Sequence, residues 1–505
     1  MQQTLPTFFH KSMIKTYLKE QILFNFGFKP TSDQMKAVEA FADFVLSVDN
    51  DKAFILRGYA GTGKTSLVAA FVKTMESLER ACVLMAPTGR AAKVLSSYSS
   101  HKAYTVHKRI YRQQTSDVDS MFSLGYNALR QSLFIVDEAS MISNDGLSGS
   151  MYGTGRLLDD LVHFVYGGTG CRLLLIGDSA QLPPVGEEDS PALSSDFMES
   201  YGLDVSCVEL KTVVRQEDTS GILWNATNIR RMIASEEFLT FPLVRFYGFH
   251  DVVNVPGNEL IECLGSCYSR DGLDETIVIS RSNKRANIYN QGIRNQILYR
   301  EEELSCGDML MIAKNNYYWP EQDKDENGKK VCPMDFIANG DIAVVRRIYN
   351  ERMLYGFRFA TCMLTFPDYD DYEMETYVLL DTLHTEAPAL TREQNEKLFA
   401  GVFEDYSDIS TKRERMKKMR EDPYFNALQI KYAYAVTCHK AQGGQWTNVF
   451  VDQGYVTEDF LGVDYFRWLY TAFTRATGTL YLVNWREEQT LLEADSEKDV
   501  SEDDF

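Results

Sequence analysis

The stretch AFILRGYAGTGKTSLVAAFVKTM (residues 53 to 75) decides the fold. An apolar run is followed by the pattern G-x-x-x-x-G-K-T and then by apolar residues at helical spacing. In such a loop the glycines let backbone N–H groups wrap phosphates, the lysine neutralises the β and γ groups, and the threonine hydroxyl reaches magnesium. The stretch therefore predicts a strand, a phosphate-binding loop and a helix. The predicted ATP contacts are Gly58, Gly61, Thr62, Gly63, Lys64, Thr65 and Ser66, with Thr65 also a Mg²⁺ ligand.

Three further apolar runs, CVLMA (82 to 86), SLFIV (132 to 136) and CRLLLI (171 to 176), are nearly continuous, as in parallel strands that are covered on both faces. Ligands of open α/β sheets bind beyond the carboxyl ends of the strands. The second of these runs ends in Asp137 and Glu138. We expect Asp137 to hold Mg²⁺ through its water shell and Glu138 to orient or deprotonate an attacking water.

The third run leads into GDSAQLPPVG (177 to 186), where Gln181 precedes two prolines that stiffen the turn. A neutral amide accepts a hydrogen bond from water or donates one to a γ-phosphate oxygen. Gln181 is therefore predicted to distinguish the bound nucleotide.

Composition indicates several domains, since 505 residues at about 150 per domain suggest roughly three. The chain has no apolar segment of membrane-spanning length and no secretory signal at its start, which predicts a cytoplasmic location without a membrane partner. Nine scattered cysteines favour reduced thiols. A net charge of −20 argues only weakly against a nucleic-acid partner, because salt screens distant charges and a local basic groove suffices.

Seven segments follow one another in a fixed order along the chain: PTSDQ with Gln34, APTGRAAKVL (86 to 95), TVHK (105 to 108), GDSAQLPP, VVRQ (213 to 216), YAYAVTCHKAQGGQW (432 to 446) and LYTAFTRA (469 to 476). In this order they resemble the motifs of superfamily 1 helicases of the 5′-to-3′ branch, RecD-like and Dda-like, with the PIF helicases as near relatives. The departures from the family pattern are Ala441, where the family usually has serine, and Gly444-Gln445.

The resemblance implies roles for particular residues. Gln34 would read adenine, Gln181 would link the γ-phosphate to the bound strand, and Arg215 and Arg475 would reach the γ-phosphate. The predicted catalytic residues are therefore Lys64, Glu138, Gln181, Arg215 and Arg475. The predicted DNA contacts are Pro87, Thr88, Lys93, His107, Phe122, Thr437 and His439.

A second α/β domain is expected because Arg475 lies over 400 residues from Lys64 and must come from elsewhere in the fold. Its predicted strands are TIVIS (276 to 280), YAYAV (432 to 436), NVFV (448 to 451) and LYLVN (480 to 484), with RANIYNQGIRNQIL and DYFRWLYTAFTR as helices.

An antiparallel barrel is predicted inside this second domain. ANGDIAVVRRIY, YGFRFATCMLTF and METYVLL alternate in polarity, and Asn339-Gly340 is typical of a hairpin turn. The resemblance implies an SH3-like insertion at the same place. The charged segment that follows is helix-prone, with KRERMKKMR either a solvated face or a basic patch. Between residues 108 and 126 the resemblance implies a strand-splitting pin, with Phe122 as its aromatic wedge. The alternative is a plain surface loop.

The predicted fold class is α/β, with two RecA-like motor domains in tandem. The function expected from the resemblance is an ATP- and Mg²⁺-dependent DNA helicase that acts as a monomer on single-stranded and tailed duplex DNA. Its expected protein partners are a single-strand-binding protein or replication and repair proteins. An RNA helicase and a partner-dependent ATPase subunit remain alternatives. The expected boundaries are 1–240 for the first motor domain, 241–300 and 426–488 for the second, 301–425 for the barrel and charged helices, and 489–505 for an acidic disordered tail.

Overall fold

The computed structural model describes residues 5–113, 122–146, 153–214, 219–325, 327–334 and 336–493, with side chains of the first helix from residue 13 onward. It contains two parallel sheets and a closed barrel, so the predicted α/β class with a barrel insertion is confirmed. Within those ranges, no helix is long and apolar enough to cross a membrane. Arg215 and the final residues of the predicted acidic tail, 494–505, lie outside the described residues.

The first sheet has six parallel strands in the order β3-β2-β6-β7-β1-β8. The four apolar runs form the adjacent strands β2, β6, β7 and β1, which brings their carboxyl ends together as predicted. The strands in this part of the chain are β1 (Lys52–Gly58), β2 (Cys82–Ala86), β3 (Ala103–Thr105), β4 (Tyr111–Gln113), β5 (Phe122–Leu124), β6 (Leu133–Val136), β7 (Arg172–Gly177) and β8 (Asp204–Leu210). The helices are α1 (Leu5–Phe26), α2 (Ser32–Leu46), α3 (Lys64–Ser77), α4 (Gly89–Ser99), α5 (Val106–Ile110), α6 (Leu157–Tyr166), α7 (Ser195–Glu199) and α8 (Gly221–Ala234).

The second sheet has five parallel strands in the order β16-β10-β17-β18-β9. Its strands are β9 (Val252–Val255), β10 (Thr276–Ser280), β16 (Ala435–Thr437), β17 (Trp446–Asp452) and β18 (Ala476–Val483). Its helices are α9 (Leu260–Asp271), α10 (Asn283–Gln296), α14 (Cys438–Ala441) and α15 (Val463–Phe473). The two predicted helices coincide with α10 and α15.

The barrel lies between β10 and β16 in the chain and closes through β11-β12-β13-β14-β15. Its long β12–β13 hairpin pairs antiparallel, as the alternating pattern predicts. Its strands are β11 (Met309–Ile312), β12 (Ile342–Leu354), β13 (Phe357–Phe366), β14 (Tyr372–Leu379) and β15 (Leu428–Tyr432). Its helices are α11 (Tyr318–Gln322), α12 (Arg392–Asp405) and α13 (Lys412–Arg420), the last two within the predicted charged segment.

The predicted strand YAYAV (432 to 436) is wrong as one element. Tyr432 ends the barrel strand β15, and Ala435 begins β16 of the second sheet. Between them the Tyr434 hydroxyl donates to Asp308 Oδ1 at 3.0 Å, inside a buried cluster with Arg294. An apolar run gives no sign of this crossing from one sheet to another, because both halves are buried. The predicted boundary at residue 426, between the barrel and the second motor domain, falls before β15, which belongs to the barrel.

A two-stranded hairpin, β4 with β5, stands where the pin is predicted. Residues 114–121 between the strands lie outside the described residues. Phe122 pairs with Gln113 at the end of the two strands next to the connecting residues. It is buried, and its ring lies 4.2 Å from that of Tyr317 next to the barrel. In this position Phe122 joins two parts of the fold, so its predicted role as a wedge requires a different arrangement.

Candidate active site

The phosphate loop begins where β1 ends and stops at the first turn of α3. Gly61 and Gly63 adopt left-handed backbone angles, with φ of 76° and 79°, which L side chains rarely take. Lys64 Nζ donates to the carbonyls of Gly58 and, at 2.9 Å, of Tyr59. Thr65 and Ser66 are exposed at the start of α3, where backbone N–H groups attract anions. The loop has the glycine geometry that a phosphate ligand requires.

Gln34 lies against this loop. Its Nε2 donates to the Thr62 carbonyl at 3.0 Å, and its Oε1 accepts from the backbone N–H of Thr31 in the capping box of α2. Glycine is favoured at position 63 because its φ is positive and because a Cβ there would lie 2.8 Å from Gln34 Nε2. The structure thus places Gln34 beside the nucleotide loop, and its reading of adenine stays a prediction.

Asp137 and Glu138 follow β6 at the same edge of the sheet. Asp137 accepts from Tyr98 OH and, at 2.9 Å, from the backbone N–H of Glu138. The backbone of Glu138 has a positive φ of 51°, which is strained for a residue other than glycine. Such strained residues concentrate at functional sites. Burial raises the pKa of Glu138, and Asp137 and Asp178 add to this, whereas Arg475 and Lys64 lower it.

Asp178 and Gln181 follow β7. Asp178 is buried, accepts from the Ala180 N–H at 3.0 Å, and lies 3.9 Å from Lys64 Nζ. Gln181 is buried too, and its Oε1 has no hydrogen-bond partner among the described residues. An unpaired buried amide oxygen costs free energy, which a ligand or water would recover. This supports the prediction that Gln181 responds to a bound group.

Arg475 reaches this edge from the second sheet, just past the end of α15. It is buried, and its guanidinium donates to the carbonyls of Thr471 at 3.1 Å and Gly444 at 3.2 Å. Its charge acts on Glu138 of the first domain. The structure therefore brings a cation to the predicted general base from a distant part of the chain.

The turn after β7 is held by the second domain on both sides. The Leu182 N–H donates to Thr471 Oγ1 at 2.9 Å, and the Leu182 carbonyl accepts from Gln442 Nε2 at 2.8 Å. Arg467 on α15 donates to Asp189 Oδ1 at 2.6 Å. A movement of the second domain must therefore either break these bonds or displace the segment that carries Gln181.

The predicted strand contacts also meet across the domains. Thr88 caps α4 through the Ala91 N–H, and its Oγ1 would lie 3.2 Å from a Cβ on Gly443. Arg90 stacks 4.0 Å from the Trp446 ring and donates to the Gln445 carbonyl at 3.2 Å. Pro87 precedes Thr88 at the end of β2. The two motifs thus contact each other across the domains, and their binding of a strand stays a prediction.

His107, Thr437 and His439 sit at helix starts near the sheet edges. Burial lowers the pKa of His107 to about 4, and burial lowers the pKa of His439 despite the charge of Asp464. Both imidazoles are expected to be neutral at pH 7, so they would contact a strand as hydrogen-bonding groups rather than as cations.

Lys93, a predicted DNA contact, is paired with the barrel. Its Nζ lies 3.1 Å from Asp368 Oδ1. Beside this pair Asp341 is buried, accepts from Tyr369 OH at 3.2 Å, and lies 2.5 Å from where a Cβ on Gly89 would be. The barrel therefore contacts the start of α4, and a strand phosphate at Lys93 would compete with a carboxylate.

This contact is expected to make stability depend on pH. Burial raises the pKa of Asp341 from 3.8 to about 7, so folding favours its protonated form. The protonated Asp341 carboxyl therefore stabilises the fold fully below pH 3.8, its pKa in the unfolded chain. This stabilisation is lost as pH rises through its folded pKa of about 7. Asp341→Asn should therefore raise Tm relative to the unchanged chain more at pH 8 than at pH 5. The pKa shift corresponds to about 4 kcal/mol of unfolding free energy at pH 8 and to less than half of that at pH 5.

Thermal melts of the two chains at both pH values measure this effect. Asp408→Asn, at an exposed position in the turn after α12, is the matched control and should change Tm by the same small amount at each pH. An equal Tm difference for Asp341→Asn at pH 5 and pH 8 would contradict the assignment.

Magnesium has a fitting but minimal donor set here. One carboxylate, Asp137, lies on the same edge of the sheet as the Thr65 hydroxyl. Among the described residues, no group of three or more His, Cys, Asp or Glu side chains lies close enough together to hold a metal ion. Mg²⁺ bound with a nucleotide needs only one or two protein ligands beside phosphates and water. The residues therefore fit a nucleotide-bound Mg²⁺ ion rather than a metal held by protein alone.

Sequence reasoning missed Tyr98 and Tyr470. Tyr98 donates to Asp137, and Tyr470 donates to Asp178 at 2.7 Å. Tyr470 stands inside the quoted motif LYTAFTRA, but a buried aromatic residue in an amphipathic helix is typical of core packing. Only its hydrogen bond to Asp178 across the domains distinguishes Tyr470 from an ordinary core residue.

Two segments of this chain match known protein families. Residues 30–236 match the family described as AAA domain, and residues 432–483 match the UvrD-like helicase C-terminal domain. The ATP-dependent RecD2 DNA helicase of Deinococcus radiodurans is 35% identical over 132 residues, 26% of this chain and 16% of that protein. The ATP-dependent DNA helicase dda of Enterobacteria phage T4 is 24% identical, with 51% of this chain and 56% of that protein covered.

Among solved structures, Pif1 helicase from Bacteroides in complex with ADP-AlF3 and ssDNA aligns with 94% of this chain and 96% of its own, at 16% identity and a TM-score of 0.46. The chain spans 16% of RecD2 and 56% of dda.

Proposed function

We infer that this chain, a superfamily 1 helicase of the RecD/Pif1 type, is an ATP-dependent DNA helicase that moves 5′-to-3′ on single-stranded DNA. The observation that carries this proposal is the cleft between the two sheets. There the charges of Lys64 and Asp178 from the first domain and Arg475 from the second all act on Glu138. Because groups from two domains act on one carboxylate, ATP hydrolysis there would be coupled to movement of one domain against the other.

The hydrolytic step follows from the chain's own groups. The loop amides and Lys64 bind the phosphates, Glu138 accepts a proton from the attacking water, and Arg475 stabilises charge on the transferring phosphoryl group. Bound Mg²⁺ would supply further charge neutralisation, held by Thr65 and Asp137. Gln181 would link nucleotide and strand, and this is supported by Gln442 and Thr471 of the second domain, which hold its neighbour Leu182.

The strand would lie along the surface that joins Thr88 and Arg90 to the loop at Trp446. Backbone phosphates and base stacking give such contacts their affinity without sequence preference. The proposal includes action as a monomer in the cytoplasm, with a single-strand-binding protein or a replication or repair protein as partner.

Hydrolysis of ATP by the purified chain, with and without single-stranded DNA, tests the proposal. We expect strong stimulation by DNA and unwinding of a partial duplex that has a 5′ tail, but not of one that has a 3′ tail. Stimulation by RNA alone would favour an RNA helicase. Hydrolysis without stimulation by either strand would favour a partner-dependent ATPase subunit.

A further inference from the structure

The Tyr470 hydroxyl spans the cleft between the domains. It belongs to α15 of the second domain and is fully buried. It accepts a hydrogen bond from the Ala60 N–H at 2.9 Å and donates one to Asp178 Oδ2 at 2.7 Å. A single hydroxyl from the helix that leads to Arg475 therefore contacts both the phosphate loop and the end of β7.

The direction of these bonds follows from charge. Burial raises the pKa of Tyr470 far above its ordinary value, and the neighbouring Asp178 raises it further, so the hydroxyl keeps its proton and donates it to the carboxylate. With the Ala180 N–H, this gives Asp178 a donor at each oxygen. Its distance of 3.9 Å from Lys64 Nζ is longer than a hydrogen bond.

Loss of the hydroxyl would change both contacts. Asp178 would keep one donor, and Lys64 is the cation next to its free oxygen. A direct pair between them would hold the lysine on the protein instead of on the phosphates. The Ala60 N–H would also lose its acceptor, which weakens the loop conformation.

We propose that Tyr470 is a positioning residue for ATP hydrolysis, which keeps Asp178 off Lys64 and fixes the Ala60 amide when the second domain is closed. The proposal rests on the proposed function, since it assigns a group that transmits domain closure to the phosphate loop. Because Arg475 lies just past the end of the same helix, the movement that brings Arg475 to Glu138 also brings the hydroxyl to the loop.

Tyr470→Phe tests this, because phenylalanine fills the same space and removes only the hydroxyl. Tyr465→Phe is the matched control: Tyr465 is buried on the same helix, but its hydroxyl donates to Gln453 at 2.8 Å within the second domain. We expect Tyr470→Phe to lower kcat for ATP about tenfold, the effect of a lost hydrogen bond to a charged group, and to leave KM within twofold. Tyr465→Phe should leave both values unchanged.

A double-mutant cycle with Asp178→Asn identifies the partner. If Tyr470 acts through Asp178, Tyr470→Phe should lower kcat much less in the Asp178→Asn chain than in the unchanged chain. An equal loss in both, or an equal loss in Tyr465→Phe, would overturn the proposal. An increase in KM with unchanged kcat would overturn it as well.

The same measurements separate this proposal from the proposed function. An unchanged chain that hydrolyses ATP without stimulation by DNA would overturn the helicase function. The basal kcat of Tyr470→Phe would still decide the role of Tyr470: a tenfold loss supports it and an unchanged rate overturns it. Melting curves of all variants establish that the fold is kept.

Discussion

Replacement of Glu138 by glutamine is expected to lower kcat for ATP hydrolysis by at least about 10²-fold while nucleotide binding is retained, since general base catalysis contributes about 10² to 10⁴. Glutamine keeps the size of the side chain but accepts no proton from water. Its neighbours, Asp137 and the backbone turn at residue 138, remain in place. Steady-state hydrolysis and titration with a fluorescent nucleotide measure the two quantities separately.

Glu39→Gln is the control for this substitution. Glu39 lies on α2 and pairs with Lys19 at 2.6 Å, away from the cleft, so its variant should hydrolyse ATP at the unchanged rate. If Glu138→Gln kept more than a tenth of the activity, Glu138 would not be the base.

Replacement of Arg475 by alanine should lower strand-stimulated kcat by about 10³-fold, the lower end of the effect of an arginine that stabilises a transferring phosphoryl group. The loss of this cation should also raise the pKa of Glu138 further, because Arg475 lowers it. A base must be deprotonated to act, so the acidic limb of the kcat profile should move to higher pH. Hydrolysis measured from pH 5 to pH 9 tests both effects.

Arg475→Lys separates charge from geometry, since a lysine keeps the charge but not the planar fork of donors. Compared with Arg475→Ala, Arg475→Lys should bring the acidic limb of the kcat profile back toward that of the unchanged chain, but it should recover less of the rate. Arg486→Ala is the control for folding and should leave the rate unchanged. It removes an arginine that pairs with nearby Glu488 at 3.1 Å and lies over the Tyr455 ring. An Arg475→Ala chain with an unshifted pH profile would contradict the effect of the Arg475 charge on the pKa of Glu138.

The phosphate loop, the Asp137-Glu138 pair and the barrel hairpin are predictable from sequence because each is encoded locally. Glycines at positive φ, a strand of continuous apolar residues and a two-residue alternation each act within a few positions of chain. The crossing at Tyr432–Ala435 was not predictable, because two buried strands in different sheets share one apolar pattern. Phe122, predicted as the aromatic wedge of a pin, is buried and its ring packs against Tyr317.

The sequence by itself determined which chemistry the chain contains: a phosphate loop, an acid pair after a strand, and a distant arginine in a helicase-like motif. Only the tertiary structure decided which groups meet. Tyr470 contacts Ala60 across 410 positions and Asp178 across 292, and Asp341 lies against Gly89. Such contacts leave no periodic trace, because they depend on how whole domains pack and not on the spacing of residues within one helix or strand.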